Sequence, residues 1–237
     1  MSENGTLNLA GRRIVVVGAT GGLGREIAQL LHEAGANLVL VGRDAARLQA
    51  LGFTAEMFTI DLMAPGSAAA LIERIAQDGP IDGLIIAHGV VAFGPTAELD
   101  DSTLSTLVTL NQVTPMQLIR ASVAPMREAK ATGSEPFIVT ISGIVSEAPT
   151  AGLAAYSAAK AGLAAFVGVM RRELRRDGIR VLDARPPHTE TELSKHPVQG
   201  VAPAFPAGLE PRAVAERIVA AIVAGESDLP STAFASG

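Results

Sequence analysis

The sequence predicts an α/β fold in a single domain, residues 1–237, built on a doubly wound parallel sheet. Two observations support this prediction. Short apolar runs alternate with helix-length segments, and strand–helix alternation of this kind gives parallel strands joined by right-handed crossovers. The runs are apolar at successive positions, which is typical of strands covered on both faces. A chain that is 48% hydrophobic and 18% charged can bury a core of this kind.

Six strand–helix units can be placed in order. The predicted strands are 13–19, 37–42, 55–61, 83–89, 137–143 and 179–184. The predicted helices are 22–34, 44–51, 66–77, 101–129, 155–177 and 211–224, and a polar tail closes the chain. The segment 185–211 breaks the pattern because it is rich in proline and too long for an ordinary connection. It follows the sixth strand at the carboxyl edge of the sheet, where open α/β folds bind ligands, so we predict a lid over the substrate.

The composition restricts the class of function. The 19 basic and 24 acidic residues form no basic run, so no nucleic acid partner is predicted. No uncharged apolar run approaches about 18 residues and the chain start lacks the pattern of a signal peptide, so we predict no membrane partner and a cytoplasmic location. The absence of cysteine excludes disulfides and thiolate chemistry, and no metal site is predicted.

A glycine-rich loop, GATGGLG at 18–24, lies between the first predicted strand and its helix. Glycine allows a tight turn and a close approach of a pyrophosphate, while the helix N-terminus faces the phosphate charge. Its position after a strand and before a helix is the context of a Rossmann-like dinucleotide site, and a flexible surface turn is the alternative. The candidate cofactor residues in this loop are Gly18, Thr20, Gly22, Leu23 and Gly24.

The residue after the second strand indicates which dinucleotide is bound. An acidic residue there would bind the ribose hydroxyls of NAD, whereas Arg43 offers a planar donor fork for a 2′-phosphate. NADP(H) is therefore preferred, with NAD(H) as the alternative. Arg43 could instead be an ordinary surface residue, and Asp44 could serve as the acid or as a helix N-cap. Asp61 and the adjacent Leu62, after the third strand, are predicted to meet the adenine, and a helix N-cap is the alternative for Asp61.

The stretch AAYSAAKAGLAAF, at 154–166, holds the only tyrosine of the chain, Tyr156, and Lys160 four residues later. At 100° per residue, Lys160 falls within the apolar stripe of the predicted helix, close to an N-terminus that disfavours a cation. A lysine stem whose head reaches water is the structural alternative. Acid–base chemistry explains the pair better. A free tyrosine has a pKa near ~10, and a nearby ammonium group would lower that pKa toward the range of a catalyst.

These features resemble the short-chain dehydrogenase/reductase family, and the resemblance covers nearly the whole chain. It rests on the glycine loop, on the Tyr-x-x-x-Lys element at Tyr156 and Lys160, and on the order and spacing of the strands. The resemblance implies that Tyr156 protonates a carbonyl oxygen, or takes the hydroxyl proton in oxidation. It also implies that Lys160 lowers the pKa of Tyr156 and holds the nicotinamide ribose.

The same resemblance assigns a role to a helix residue and to the long helices. Asn111, in LVTLNQVTP, matches the family asparagine that anchors a water molecule in the proton relay. A polar residue merely tolerated in a helix is the alternative. In this family the faces of the two long helices pair subunits, which implies a homodimer or a homotetramer.

The serine of the family pattern is displaced in this chain. The family has a serine that hydrogen-bonds the substrate carbonyl 13 residues before the tyrosine, where this chain has Gly143. Ser142 is the catalytic candidate if the strand end bulges or turns, because a one-residue offset otherwise points the side chain to the other face. Ser146 is the alternative, and a site without this hydroxyl is a third possibility.

Two cofactor segments also depart from the pattern. IAHG at 86–89 stands where the family has Asn-Asn-Ala-Gly, so His88 replaces a small residue beside the cofactor. His88 could bond near the ribose, or it could be a structural histidine bonded to backbone. RPPH at 185–188 stands where the family has a Pro-Gly turn. The resemblance assigns residues in and after these two segments to the cofactor, together with the tyrosine–lysine pair. They are Ala87, His88, Gly89, Tyr156, Lys160, Pro186, Thr189 and Thr191.

The sequence thus predicts an NAD(P)(H)-dependent oxidoreductase that moves a hydride between the nicotinamide and a small-molecule carbonyl or alcohol. The segments 90–95 and 146–152 and the lid would enclose a hydrophobic or carrier-linked substrate. A catalytically impaired dinucleotide sensor of the same fold is the alternative, and Gly143 and the IAHG segment favour it. An epimerase or dehydratase is a third hypothesis, because the loop also has G-x-x-G-x-x-G spacing.

Overall fold

Residues 6–234, the part of the chain that the computed structural model describes, form a seven-stranded parallel sheet flanked by helices. The strands are β1 (Arg13–Val17), β2 (Asn37–Gly42), β3 (Glu56–Thr59), β4 (Gly83–Ile86), β5 (Phe137–Ile141), β6 (Arg180–Ala184) and β7 (Asp228–Leu229). Their order across the sheet is β3-β2-β1-β4-β5-β6-β7, and each neighbouring pair is parallel. The predicted doubly wound parallel sheet is confirmed.

Helices cover both faces of this sheet. They are α1 (Gly22–Glu33), α2 (Ala45–Gln49), α3 (Ser67–Ala76), α4 (Asp101–Val108), α5 (Thr114–Ala131), α6 (Ala154–Leu174) and α7 (Pro211–Ala224). Helices α1 and α7 pack on one face, and α3, α5 and α6 pack on the other. None of the helices in residues 6–234 combines the length and apolarity that crossing a bilayer requires.

Successive strand residues contribute to opposite core layers. In β1, Ile14 and Val16 join the layer of α1 and α7, whereas Val15 and Val17 join the layer of α3, α5 and α6. All four side chains are fully buried. This two-sided burial explains why the strands appear in the sequence as continuous apolar runs.

The strand order reverses between β1 and β4, which opens a crevice at the carboxyl ends of these strands. Gly18 follows β1, and a Cβ placed on it would lie 2.6 Å from the backbone nitrogen of His88, which follows β4. Gly18 also has a φ of +85°, so both the close approach and the backbone conformation favour glycine. The glycine loop and the IAHG segment therefore border the crevice together.

The structure corrects the predicted elements in several places. The predicted helix 101–129 is two helices, α4 and α5, joined by a π-helical turn at Thr109–Val113. The predicted tail contains β7, whose Leu229 is fully buried beside β6. The strands predicted at 55–61 and 83–89 end at Thr59 and Ile86, because their last residues leave the sheet at its carboxyl edge. Residues 1–5, where no signal peptide is predicted, and tail residues 235–237 lie outside the described part of the chain.

Candidate active site

The glycine loop presents a helix N-terminus to the crevice. Helix α1 starts at Gly22, and its N-cap residue Gly21 offers no side chain to cap the first N–H groups. Such N–H groups bind phosphates, because they donate hydrogen bonds and lie at the positive end of the helix dipole. A Cβ on Gly22 would come within 2.6 Å of the Thr191 side chain, so the lid meets the loop at this point. Leu23 packs against the core and anchors the first turn.

Basic side chains lie at the end of β2, beside the glycine loop. Arg43 is exposed directly after the strand. Arg47 donates from Nη2 to the carbonyl oxygen of Thr20 at 3.0 Å, which fixes its guanidinium against the loop. Asp44 is the N-cap of α2, because its Oδ1 accepts from the backbone N–H of Arg47 at 3.1 Å. Of the two roles open to Asp44, the structure shows the N-cap.

Asp61 and Leu62 occupy the turn after β3. The Oδ1 atom of Asp61 accepts from the backbone N–H of Met63 at 2.9 Å, whereas α3 begins only at Ser67. The alternative that Asp61 caps this helix is therefore wrong. Leu62 is buried, and its carbonyl oxygen accepts from Thr114 Oγ1 at 3.3 Å. The turn is thus fixed to the start of α5, and the contact of its residues with adenine stays a prediction.

Tyr156 and Lys160 lie together on the first turns of α6. The Nζ atom of Lys160 is 5.9 Å from the centroid of the Tyr156 ring. Lys160 is only 6% exposed, and its Nζ donates to the carbonyl oxygen of Ile141 at 2.7 Å. The alternative of a lysine head that reaches water is therefore wrong. The ammonium group is instead held between the end of β5 and the phenol-bearing turn of α6.

Burial dominates the electrostatics of this pair. Desolvation raises the pKa of Tyr156 to about 12. Desolvation also lowers the pKa of Lys160 to about 8, and the charge of Asp183 opposes part of this shift. The expected lowering of the Tyr156 pKa is thus wrong for this arrangement, in which the ammonium group donates to Ile141. At neutral pH the phenol keeps its proton and most of the lysine population is charged.

Asn111 lies in the π-helical turn and is fully buried. Its Oδ1 accepts from the backbone N–H of Val90 at 3.1 Å, and its Nδ2 donates to the carbonyl oxygens of Val90 at 2.9 Å and Leu107 at 3.0 Å. A Cβ on Gly89 would lie 2.6 Å from Asn111 Oδ1 and 3.6 Å from Lys160 Nζ. Asn111 therefore fastens the helix to the segment after β4 close to the lysine, and its contact with a relay water stays a prediction.

Ser142 does not supply the predicted substrate hydroxyl. Its side chain is fully buried, and its Oγ donates to Oδ2 of Asp183 at 2.6 Å, so the one-residue offset has directed the hydroxyl toward β6. At Gly143, which has a φ of +72°, the nearest atom to an added Cβ is the carbonyl oxygen of Pro186, at 3.9 Å. Ser146 is half-buried, donates to the Gly143 carbonyl oxygen at 2.7 Å and lies 3.3 Å from Ser142 Oγ.

A polar network that the sequence did not predict lies beneath this strand end. Asp183 is 1% exposed, and it accepts from Thr140 Oγ1 at 2.7 Å in addition to the serine already described. Arg185 donates to Asp183 at 3.1 Å, to Asp228 at 2.9 Å and to Glu147. The network joins β5, β6 and β7. The sequence pattern that could have indicated this network is an acidic residue, Asp183, inside an apolar strand, because a buried carboxylate needs hydrogen-bond donors.

His88 lies beside the crevice with its imidazole buried. Neither Nδ1 nor Nε2 has a well-formed hydrogen bond within residues 6–234, although the Leu110 backbone lies close enough to act on the ring, so the alternative of a histidine bonded to backbone stays open. Desolvation, followed by the charge of Lys160, lowers the pKa of His88 to about 3, and the nearby Leu110 backbone opposes part of this shift. The ring is therefore neutral at physiological pH.

The lid folds against the carboxyl edge of the sheet. Thr189 forms a β-bridge with Leu209, and its Oγ1 donates to the carbonyl oxygen of Pro187 at 3.0 Å. The carbonyl oxygen of Pro186 accepts from the N–H of Ile144 at 3.0 Å. These bonds fix the lid's start beside β5, and the cofactor contacts assigned to Pro186 and Thr189 stay predictions.

A cavity of about 140 Å³ lies beside Tyr156. Its wall includes residues 92–95 of the segment after β4, Gly152 to Tyr156, and Gln199 and Gly200 of the lid. A second β-bridge, between Ala92 and Gln199, holds the lid to that segment. Residues 92–95 and the lid residues Gln199 and Gly200 line this cavity, whereas the 146–152 segment contributes only Gly152. Enclosure of a substrate by these three segments stays a prediction.

Comparisons with known proteins give a common result. The family model described as short chain dehydrogenase matches residues 12–201. Dehydrogenase/reductase SDR family member 7B of Mus musculus is 34% identical over 197 residues, covering 78% of this chain and 60% of the relative, so the chain spans less than two thirds of that protein. The uncharacterized oxidoreductase YmfI of Bacillus subtilis is 31% identical over 188 residues, covering 76% of this chain and 75% of the relative.

A solved structure gives the same result in three dimensions. A short-chain dehydrogenase from Sphingobium yanoikuyae in complex with NADPH matches with a TM-score of 0.83 at 27% identity, covering 92% of this chain and 87% of that one. The family-model match contains the glycine loop, strands β1 to β6 and the Tyr156–Lys160 pair. The chain belongs to the short-chain dehydrogenase/reductase family of oxidoreductases.

Proposed function

We propose that this chain is an NADP(H)-dependent oxidoreductase that transfers a hydride between the nicotinamide and a carbonyl or alcohol carbon. The proposal is carried by the placement of Tyr156 in the cavity wall with Lys160 one helical turn away. The glycine loop lies at the same carboxyl edge of the sheet. The Sphingobium relative in complex with NADPH supports the choice of dinucleotide.

The residues around the crevice fit such a cofactor. The uncapped start of α1 at Gly22, with Thr191 against it, suits a pyrophosphate. Arg43 is exposed directly after β2 and offers the donor fork that a 2′-phosphate requires, while Arg47 is held against the glycine loop. When bound, the cofactor supplies the hydride, and the chain supplies its position and the proton.

The protonation states favour reduction of a carbonyl. The pKa of Tyr156, raised to about 12, keeps the proton on the phenol at neutral pH, where it can be donated to the carbonyl oxygen as the carbon is reduced. Lys160, one turn away, then offsets the negative charge left on the phenolate. Ser146 is half-buried, donates to the carbonyl oxygen of Gly143 and is not part of the cavity wall, so its alternative role as second donor to the carbonyl stays a prediction.

The direct test is NADPH oxidation with a panel of small ketones and aldehydes, followed by the loss of NADPH absorbance. We expect turnover of at least one compound, with NADPH preferred over NADH. NADPH binding without turnover of any panel member would contradict the enzyme hypothesis.

Arg43→Ala should weaken NADPH binding roughly 10- to 100-fold while leaving NADH binding unchanged, because hydrogen bonds to a charged phosphate are worth about 1.5–3 kcal/mol. Titration of both dinucleotides by calorimetry measures the two affinities. Arg74→Ala is the matched control, since Arg74 is an exposed arginine of α3 that pairs with Asp78. An equal loss of affinity for NADH and NADPH would show that Arg43 does not bind the 2′-phosphate.

The pH dependence of reduction should follow Lys160. Its pKa of about 8 means that the ammonium charge is present below pH 8 and is lost as the pH rises through that value. We therefore expect kcat/KM for ketone reduction to fall above about pH 8. Tyr156 causes no fall in this pH range, because its pKa is about 12. Lys160→Met should be less active, and its kcat/KM should not fall above pH 8. A native profile that stays flat to pH 10 would contradict the assignment.

A non-enzymatic dinucleotide sensor is the second candidate. The observation that favours it is the binding of the Ser142 hydroxyl to Asp183, together with glycine at position 143. Loss of one such donor typically costs roughly 10²–10³ in rate. Measurable turnover that depends on Tyr156 would exclude the sensor.

A further inference from the structure

Asp183 is a buried acid without a part in the reaction as described so far, and any part it takes rests on the function proposed above. The residue lies on β6 and is 1% exposed. Its carboxylate accepts from Thr140, Ser142 and Arg185. A buried ion pair is often no more stabilising than apolar residues of the same volume. The charge at this position therefore points to a role beyond the packing of the sheet.

The alternation of side chains places Asp183 on the face of the sheet that α6 covers. On β6, Val181 belongs to the core layer of α3, α5 and α6, whereas Leu182 and Ala184 belong to the opposite layer. Asp183 lies two residues after Val181 and therefore projects to the same side. Lys160 is buried on α6, which covers that side. The carboxylate and the ammonium group are thus buried within the same layer of the protein.

Hydrogen bonds join Asp183 to the strand end that holds Lys160. Thr140 Oγ1 donates to Oδ1 of Asp183 at 2.7 Å, and Ser142 Oγ donates to Oδ2 at 2.6 Å. Ile141 lies between these two residues, and its carbonyl oxygen accepts from Lys160 Nζ at 2.7 Å. One carboxylate therefore fixes both neighbours of the carbonyl group that orients the lysine.

Asp183 also supplies the negative charge that acts on Lys160. Burial lowers the pKa of Lys160 to about 8, and the charge of Asp183 opposes this shift. The other titratable groups near the lysine carry no charge at neutral pH. Burial raises the pKa of Tyr156 to about 12, and burial, followed by the charge of Lys160, lowers the pKa of His88 to about 3. The lysine thus has no second counter-charge among these neighbours.

We propose that Asp183 is a positioning residue for the reaction, because it fixes the strand end that orients Lys160 and supplies the buried negative charge that keeps Lys160 an ammonium ion. Lys160 in turn offsets the charge left on Tyr156 when the phenol gives up its proton. Arg185 donates to Oδ2 of Asp183 at 3.1 Å, which keeps the carboxylate ionised and weakens its field at Lys160.

The charge of Lys160 can be measured directly in the protein without cofactor or substrate. The chain contains only three lysines, and the other two, Lys130 and Lys195, are exposed. NMR titration of protein labelled with carbon-13 at lysine Cε follows the three resonances, and Lys160→Met identifies the buried one. We expect Lys160 to titrate near pH 8 in the native protein and roughly one pH unit lower in Asp183→Asn. The fall in kcat/KM for ketone reduction should move to lower pH by the same amount.

Thr140→Val is the matched control, because it removes one hydrogen bond to the same carboxylate and keeps the carboxylate charge. It should lower Tm, whereas Lys160 should still titrate near pH 8. If Thr140→Val moved the titration as far as Asp183→Asn does, the packing of the strand end, and not the charge, would control Lys160, and the proposal would be wrong.

Arg185→Gln supplies a second test with the opposite sign. Loss of the guanidinium strengthens the field of the carboxylate, so Lys160 should titrate above its native pH. If Asp183→Asn does not fold, this variant decides, because an unchanged titration overturns the proposal.

The two readouts separate this proposal from the proposed function. Tyr156-dependent turnover with an unchanged Lys160 titration in Asp183→Asn overturns the role of Asp183 and leaves the oxidoreductase standing. Absence of turnover with every ketone overturns the proposed function, and the NMR titration then still shows whether Asp183 sets the charge of Lys160. A titration that shifts while the pH profile of kcat/KM stays in place overturns the part of Asp183 in the reaction.

Discussion

Tyr156→Phe is expected to lower kcat for ketone reduction roughly 10²–10⁴-fold, the usual contribution of a positioned general acid. Phenylalanine keeps the ring that packs beside Val91, Phe93 and Leu153, and it removes only the hydroxyl that donates the proton. NADPH affinity should change far less than kcat, since the predicted phosphate contacts lie at the glycine loop and Arg43, although Tyr156 is itself a predicted cofactor residue. Single-turnover kinetics with saturating NADPH, combined with calorimetric titration, measures the two quantities separately.

The chain offers a matched control for this experiment and a direct spectroscopic measurement of the Tyr156 pKa. Ser157→Ala is the matched control on the same helix, because it removes a buried hydroxyl that has no hydrogen-bond partner within residues 6–234. It should retain activity. Tyr156 is also the only tyrosine in a chain without tryptophan, so the near-ultraviolet absorbance change on ionisation reports its pKa directly. Turnover that survives Tyr156→Phe would show that another group supplies the proton.

Much of the fold was predictable because it depends on local patterns. Two-sided burial leaves continuous apolar runs such as Ile14 to Val17, and these identify buried strands without knowledge of their neighbours. The strand β7 has two residues and no period to detect, so only its pairing with β6 defines it. The π-helical turn at Thr109–Val113 was also missed, since one wider turn hardly disturbs the helical spacing of apolar residues.

The candidate site was predictable only where its chemistry is encoded within one element. The Tyr156–Lys160 pair follows from helical spacing, and the glycine loop follows from its place between a strand and a helix. The hydroxyl of Ser142 could not be placed, because its direction depends on Asp183 in a neighbouring strand. The place of Gln199 in the cavity wall depends on the folding of the lid onto Phe93, which the local sequence does not encode.

Gly24→Ala is expected to destabilise the protein by about 3 kcal/mol and to weaken NADPH binding by at least about tenfold, because overpacking of a buried position displaces the surrounding backbone. A Cβ at this position would lie 2.1 Å from the carbonyl oxygen of Gly18. That oxygen is already fixed, since it accepts from the N–H of Gly21 at 3.0 Å. Relief of the clash must move the start of α1 away from β1, and this movement alters the phosphate-binding N–H groups.

Thermal unfolding with and without NADPH measures both effects, and a second glycine supplies the control. For a chain of this length, about 3 kcal/mol corresponds to a decrease in Tm of roughly 10 °C.

Gly168 lies within α6, and an added Cβ there meets no atom within 4 Å. Gly168→Ala should therefore raise stability by about 0.5–1 kcal/mol, since alanine favours the helix and restricts the unfolded chain. Suppose that Gly24→Ala stabilises the protein as much as Gly168→Ala does, and that NADPH raises the Tm of this variant as it does for the native protein. The phosphate site would then not depend on the close approach of the glycine loop to α1. Opposite signs for the two substitutions would instead separate this packing requirement from ordinary helix propensity.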